Sequence, residues 1–127
     1  MKKLAIGLVG SFMLLTAGFA VAKDSTYTGE IMDSQCAMMG SHEMMMKKEG
    51  MADKKDDPAA KKMCTLGCVK MGGKFVLFNA TAKTVYQLDD QTKPEQFAGQ
   101  AVKITGTLDK ATKTIHVTGI KTASKSA

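Results

Sequence analysis

The chain has 127 residues, 44% of them apolar, and carries 18 lysines and no arginine against 12 acids, a net charge of +6. That length suits one small domain. The missing arginine argues against specific nucleic-acid or phosphate recognition, for which its bidentate fork is the usual instrument.

Lys2 and Lys3 precede an apolar run from Leu4 to Phe19, and Ala20-Val21-Ala22 is a small-x-small cleavage site. The run is short for a membrane span and a polar chain follows at once. A bacterial signal peptide over residues 1–22 is therefore expected, with the mature chain periplasmic or secreted and without a membrane span. Cleavage leaves 16 lysines against 12 acids, a net charge of +4, and no cysteine stands at the cleavage site to carry a lipid. The rest reads as one β domain over 23–121, with an insert over 37–73 and a polar tail over 122–127.

Tyr27 to Asp33 is the first strand, with Tyr27, Gly29 and Ile31 on one face. Ser34-Gln35-Cys36 then leaves the sheet. Ser41 is placed to cap a short helix over His42 to Glu49, ended by Gly50. A charged turn over Ala52 to Asp57 follows. Asp57 as N-cap and Pro58 in the first helical position start a second helix, stopped by Gly72-Gly73. Ala60, Cys64, Gly67, Cys68 and Met71 recur along it at helical spacing, so Cys64 and Cys68 share a face one turn apart.

From Lys74 the period changes to two. Lys74 to Phe78 and Thr84 to Leu88 form strands around an Asn79-to-Lys83 turn. Pro94 to Ala98 suits one helical turn. Ala101 to Leu108 alternates cleanly, and a turn over Asp109 to Thr112 leads to a last strand from Thr114 to Ile120. The expected fold is thus mainly β: a small five-stranded OB-like barrel with one short Cys-bearing helix and a Met-rich insert between strands one and two. Gly29 and Gly106 fall inside strands, as a strongly bent small barrel requires. An open five-stranded sheet packed on the helix is the competing architecture.

Gly29-Glu-Ile-Met-Asp-Ser-Gln-Cys36, Cys64-Thr-Leu-Gly-Cys68-Val-Lys-Met-Gly72, Val85 to Leu88 and Phe97 to Gly106 carry a resemblance. On these pieces the chain resembles small exported bacterial proteins that carry a domain of unknown function. The resemblance implies an OB-like barrel with a Cys-bearing insert and no particular activity. The density of methionine after Cys36 departs from it.

All three cysteines lie between 36 and 68, with His42 and most of the methionines. In an exported protein three cysteines allow one disulfide and a spare thiol. Cβ atoms four apart on a helix are about 5–6 Å apart, wider than the roughly 3.5–4.5 Å of a disulfide. Cys36 with Cys64, or Cys36 with Cys68, is therefore the expected bridge. The competing chemistry is a soft-metal site. Two thiols on one helix face, a third at Cys36 and the His42 imidazole make a Cys3His set with zinc precedent. Thiolate and thioether ligands together select copper(I) instead, and Met38, Met39, Met44, Met45 and Met46 crowd around His42. The same thioethers suit an oxidant scavenger.

C-x-x-C and a catalytic Ser/His/Asp order are both absent from the sequence, so no enzyme is expected. His116 reads as a surface or barrel-rim residue. Two functions follow: a copper(I)-binding module using Cys36, Cys64, Cys68, His42 and the methionines, or a disulfide-stapled envelope domain. The second binds a protein or glycan partner through a barrel face with Lys74, Phe78 and Tyr86.

Overall fold

The computed structural model describes residues 22–123. The expected signal peptide and most of the expected tail lie outside the described residues. Among the described residues, no helix is long and apolar enough to cross a membrane.

The fold is mixed rather than mainly β. Among the described residues, five strands, β1 (Ser25–Asp33), β2 (Phe75–Asn79), β3 (Thr84–Leu88), β4 (Ala101–Asp109) and β5 (Thr114–Thr122), join with three α-helices: α1 (Ser34–Met39), α2 (Glu43–Lys48) and α3 (Pro58–Lys70). The strands close into a ring in the order β1-β2-β3-β5-β4 and back to β1, which excludes the open sheet. A 3-10 turn over Lys93–Phe97 lies between β3 and β4, where a helical turn was expected.

Strand β1 closes the ring because it pairs on both sides in succession. Its first half, Ser25 to Glu30, runs antiparallel to β4, and its second half, Glu30 to Asp33, runs antiparallel to β2. Gly29 stands at the bend, where a Cβ would lie 2.5 Å from the Phe78 carbonyl oxygen. Gly106 is tighter still: a Cβ would lie 2.1 Å from the His116 carbonyl oxygen, beside an irregularity in the β4–β5 pairing. Only a residue without Cβ lets the strands approach this closely. The last seam is a short parallel pairing of β3 with β5 at Gln87–Thr114 and Leu88–Ile115. Strand β5 runs on to Thr122, past the expected end of the sheet.

Alternation along the strands divides the core in two. Ile31, Phe75, Leu77, Leu88, Val102, Ile104 and Ile115 form the cluster inside the ring. Their neighbours Met32 and Val76 face the other way, into a second cluster with Cys36, Ala37, Met46, Ala60, Cys64 and Cys68. The β1–β2 pair is therefore buried on both faces, which is why Ile31, Met32 and Asp33 are consecutively buried. The helical insert is the cover of that outer face. Helix α3 also contributes Leu66 and Val69 to the rim of the inner cluster.

Candidate metal centre

Two helix caps place the cysteines. The Asp33 carboxylate at the end of β1 accepts hydrogen bonds from the backbone N–H of Gln35 and Cys36, each at 3.0 Å, and so caps α1. This helix was not expected; the sequence signal for it is the Asp-Ser-Gln-Cys run, an N-cap followed by helix-compatible residues. Asp57 caps α3 by accepting from Ala59 N–H at 2.9 Å, with Pro58 in the first turn as expected. Helix α3 then presents Cys64 and Cys68 from one face, and α1 presents Cys36 opposite them.

The sulfur atoms of Cys36, Cys64 and Cys68 lie within 4.8 Å of one another, all buried. In this structure all three are free thiols rather than bridged as Cys36–Cys64 or Cys36–Cys68, and helix packing brings them together. Burial pushes every one of these thiols up. The Cys36 thiol is also held protonated by the adjacent Asp33 carboxylate. Cys68 is raised to about 11 by burial, with the negative field of Asp33 next in weight. Cys64 is raised by the same burial, against a lowering hydrogen bond from Cys36. A cation bound by these sulfurs would have to displace thiol protons that burial holds more tightly than in water.

His42 is brought close, but not into that triad. It groups with Asp33 and Cys36, again within 4.8 Å, so the expected Cys3His set divides into two groups that share Cys36. The reason is its anchor. His42 Nε2 donates to Glu30 Oε1 at 2.8 Å, and Lys61 Nζ lies 3.4 Å from Glu30 Oε2. The other ring nitrogen, Nδ1, is buried and without a partner, as is Asp33 Oδ1. A carboxylate behind a histidine is the arrangement that orients metal-binding imidazoles. Asp33 stands in the Asp-Ser-x-Cys run of the sequence, but neither it nor Glu30 carries an expected site role.

The methionines separate by face. Met46 is fully buried beside the cysteines, and Met45 is half-buried against the same cluster. Met38 is 81% exposed, and Met39 and Met44 also face solvent, outside the buried cluster that holds the cysteines. Helix geometry explains this: α1 and α2 each turn only one edge to the sheet, and Cys36 and Met46 occupy those edges. Position 42 acts as the N-cap of α2, and the Ser41 hydroxyl makes only a 3.4 Å contact with Glu43 N–H. Met71 is exposed, and Thr65 takes a fully buried place on α3.

His116 lies on the surface and pairs with Asp89 at 3.1 Å, apart from the cluster. Of the expected barrel-face residues, Tyr86 packs its ring against Tyr27, with centroids 5.5 Å apart. Phe78 is half-buried against the second core, and Lys74 is exposed.

The family described as a protein of unknown function (DUF5818) matches residues 67–123. The matched segment holds Cys68 and the strands from β2 onward, while Cys36, Cys64, His42 and the methionine-rich helices precede it. No curated protein and no solved structure matches the chain.

Proposed function

We propose that this is an exported, non-enzymatic protein that binds a soft metal ion, copper(I), through Cys36, Cys64 and Cys68. The closed ring, an OB-type barrel in this reading, is the scaffold, and its β1–β2 face is the floor of the site. The observation that carries the proposal is the mutual approach of three buried sulfurs to within 4.8 Å. Metal–sulfur bonds of about 2.3 Å place two ligating sulfurs roughly 3.8–4.6 Å apart, from tetrahedral to linear geometry, so the triad closes on one ion without rebuilding the helices. An all-sulfur set with the Met46 thioether beside it favours copper(I) over harder ions.

Zinc is the second reading, favoured by the unpartnered Asp33 Oδ1 and His42 Nδ1 next to Cys36. The two metals differ in what they demand of His42. Anaerobic titration of the reduced protein with Cu(I) against a chromophoric chelator, checked by native mass, is expected to give one ion per chain. Cys36→Ser, Cys64→Ser and Cys68→Ser should each lose it, and His42→Ala should keep it. Loss in His42→Ala with tight Zn(II) binding by the parent would establish zinc instead. Full Cu(I) retention by Cys64→Ser would refute the triad.

A third outcome belongs to the envelope-module reading. Sulfurs this close also admit a Cys36–Cys64 or Cys36–Cys68 disulfide in an oxidising compartment. Protein purified without reductant would then be lighter by two hydrogens and free of metal. The partner, a protein or glycan, would be sought at the cleft of about 470 Å³ that includes Glu30, His42, Lys61 and Phe78.

A further inference from the structure

A metal site with three buried thiols needs a way in, and Cys36 is fully enclosed. Cys64, 7% exposed, and Cys68, 2% exposed, both reach the wall of a surface groove of about 290 Å³. The rest of that wall is unusual in chemistry. It is made by Met45, Met51, Met63 and Met71 with Glu49 and Gly67. Met63, Gly67 and Met71 are spaced by four along α3 and continue as a stripe past its end, beside the stripe of Ala60, Cys64 and Cys68. Met63 and Met71 are 67% and 68% exposed, so the groove has solvent-facing thioethers on the same wall as the two thiols. Gly67 leaves the middle of the stripe open: a Cβ there would meet nothing within 4 Å.

We infer that this groove is the route by which copper(I) reaches and leaves the Cys36/Cys64/Cys68 triad, with the four thioethers holding the ion in transit. The inference rests on the copper(I) reading above and adds a kinetic function to it. Thioethers are soft, neutral ligands that bind copper(I) without first losing a proton, whereas each thiol must release one. The ion therefore meets weak, exchangeable ligands outside and strong ones inside. On transfer a thioether–metal contact breaks, a thiolate–metal bond forms and the thiol proton passes to water. Copper stays Cu(I), so no electron is transferred. Glu49 at the rim adds a negative charge that attracts the cation.

Two variants test the route from opposite directions. Gly67→Leu fills the open middle of the groove and replaces a helix-weakening residue by a good helix former, so it is expected to fold. Met63→Leu with Met71→Leu keeps the groove's shape and removes the outer thioethers. Loading from the Cu(I)–acetonitrile complex is followed by stopped flow, and extraction by a strong Cu(I) chelator is followed in the same way. Both variants are expected to load and unload slower by roughly tenfold or more, with equilibrium affinity unchanged. Met38→Leu with Met39→Leu, on another face beside Phe78 and Val85, should behave as the parent. Parent-like rates in either the Gly67 or the Met63/Met71 variant would overturn the inference while leaving the triad intact. Failure of the parent itself to bind Cu(I) would overturn both.

Discussion

Met46→Ala is the most direct test of whether the insert is docked as described. Met46 is fully buried in the cluster that also holds Met32, Cys36, Ala37, Ala60, Cys64, Cys68 and Val76. It is the only buried residue of α2, so it is the peg that fixes that helix to the sheet. Truncation removes three side-chain heavy atoms from a closed site. Large-to-small changes of this kind cost about 2–5 kcal/mol, the upper end when neighbours cannot collapse into the space. Here the neighbours on one side are β1 and β2, which are held by pairing on both edges. A value near the middle, about 3 kcal/mol, corresponds to a fall of roughly 12–24 °C in Tm for a domain of this size. Met46→Leu conserves most of the volume and should cost less than about 1.5 kcal/mol. The assay is urea denaturation of the reduced, metal-free protein at neutral pH, followed by circular dichroism. Equal midpoints for the Ala variant and the parent would refute the packing of α2 on the outer core, and with it the placement of His42.

Gly106→Ala should destabilise strongly, by roughly 1–3 kcal/mol or more, because its Cβ would fall 2.1 Å from the His116 carbonyl oxygen; a thermal melt checks it, and an unchanged Tm would place β4 and β5 in a different register. Asp89 is held below the ordinary carboxylate range chiefly by the Val117 N–H at 2.8 Å, with His116 adding to it. A lowered folded value means its contribution is present above the unfolded carboxylate pKa, about 3.9, and is lost as pH falls through the folded one. Parent and Asp89→Asn should therefore differ in stability at pH 6 and converge in strong acid; a gap that widens on acidification would reverse the assignment.

Reading the sequence alone recovers the strands closely, because alternation of apolar residues is a local signal that the sheet then uses directly. Ala101 to Leu108 and Thr84 to Leu88 lie where period-two patterning places them. Helix α3 is equally legible: Asp57, Pro58 and the Gly72-Gly73 stop mark its ends, and the four-residue spacing of Cys64 and Cys68 follows from helix geometry. The strand count and the glycine positions also suggest closure.

What the chain cannot encode locally is which side of each helix meets the sheet. Met38 and Met46 look alike in sequence, yet one is exposed and the other fully buried, because burial depends on where β1 and β2 stand. The same holds for His42. Its ring is turned by Glu30, twelve residues earlier on β1, and this pairing draws it away from Cys64 and Cys68. The meeting of Cys36 with Cys64 and Cys68 is likewise a long-range event, made when α1 and α3 dock on one outer face. Sequence by itself determined the strands, the Cys-bearing helix and the soft-ligand inventory, since each depends on spacing along the chain. Only the tertiary structure brought three sulfurs of that inventory together and placed a methionine-lined groove beside two of them, because that meeting depends on contacts between residues far apart in the chain.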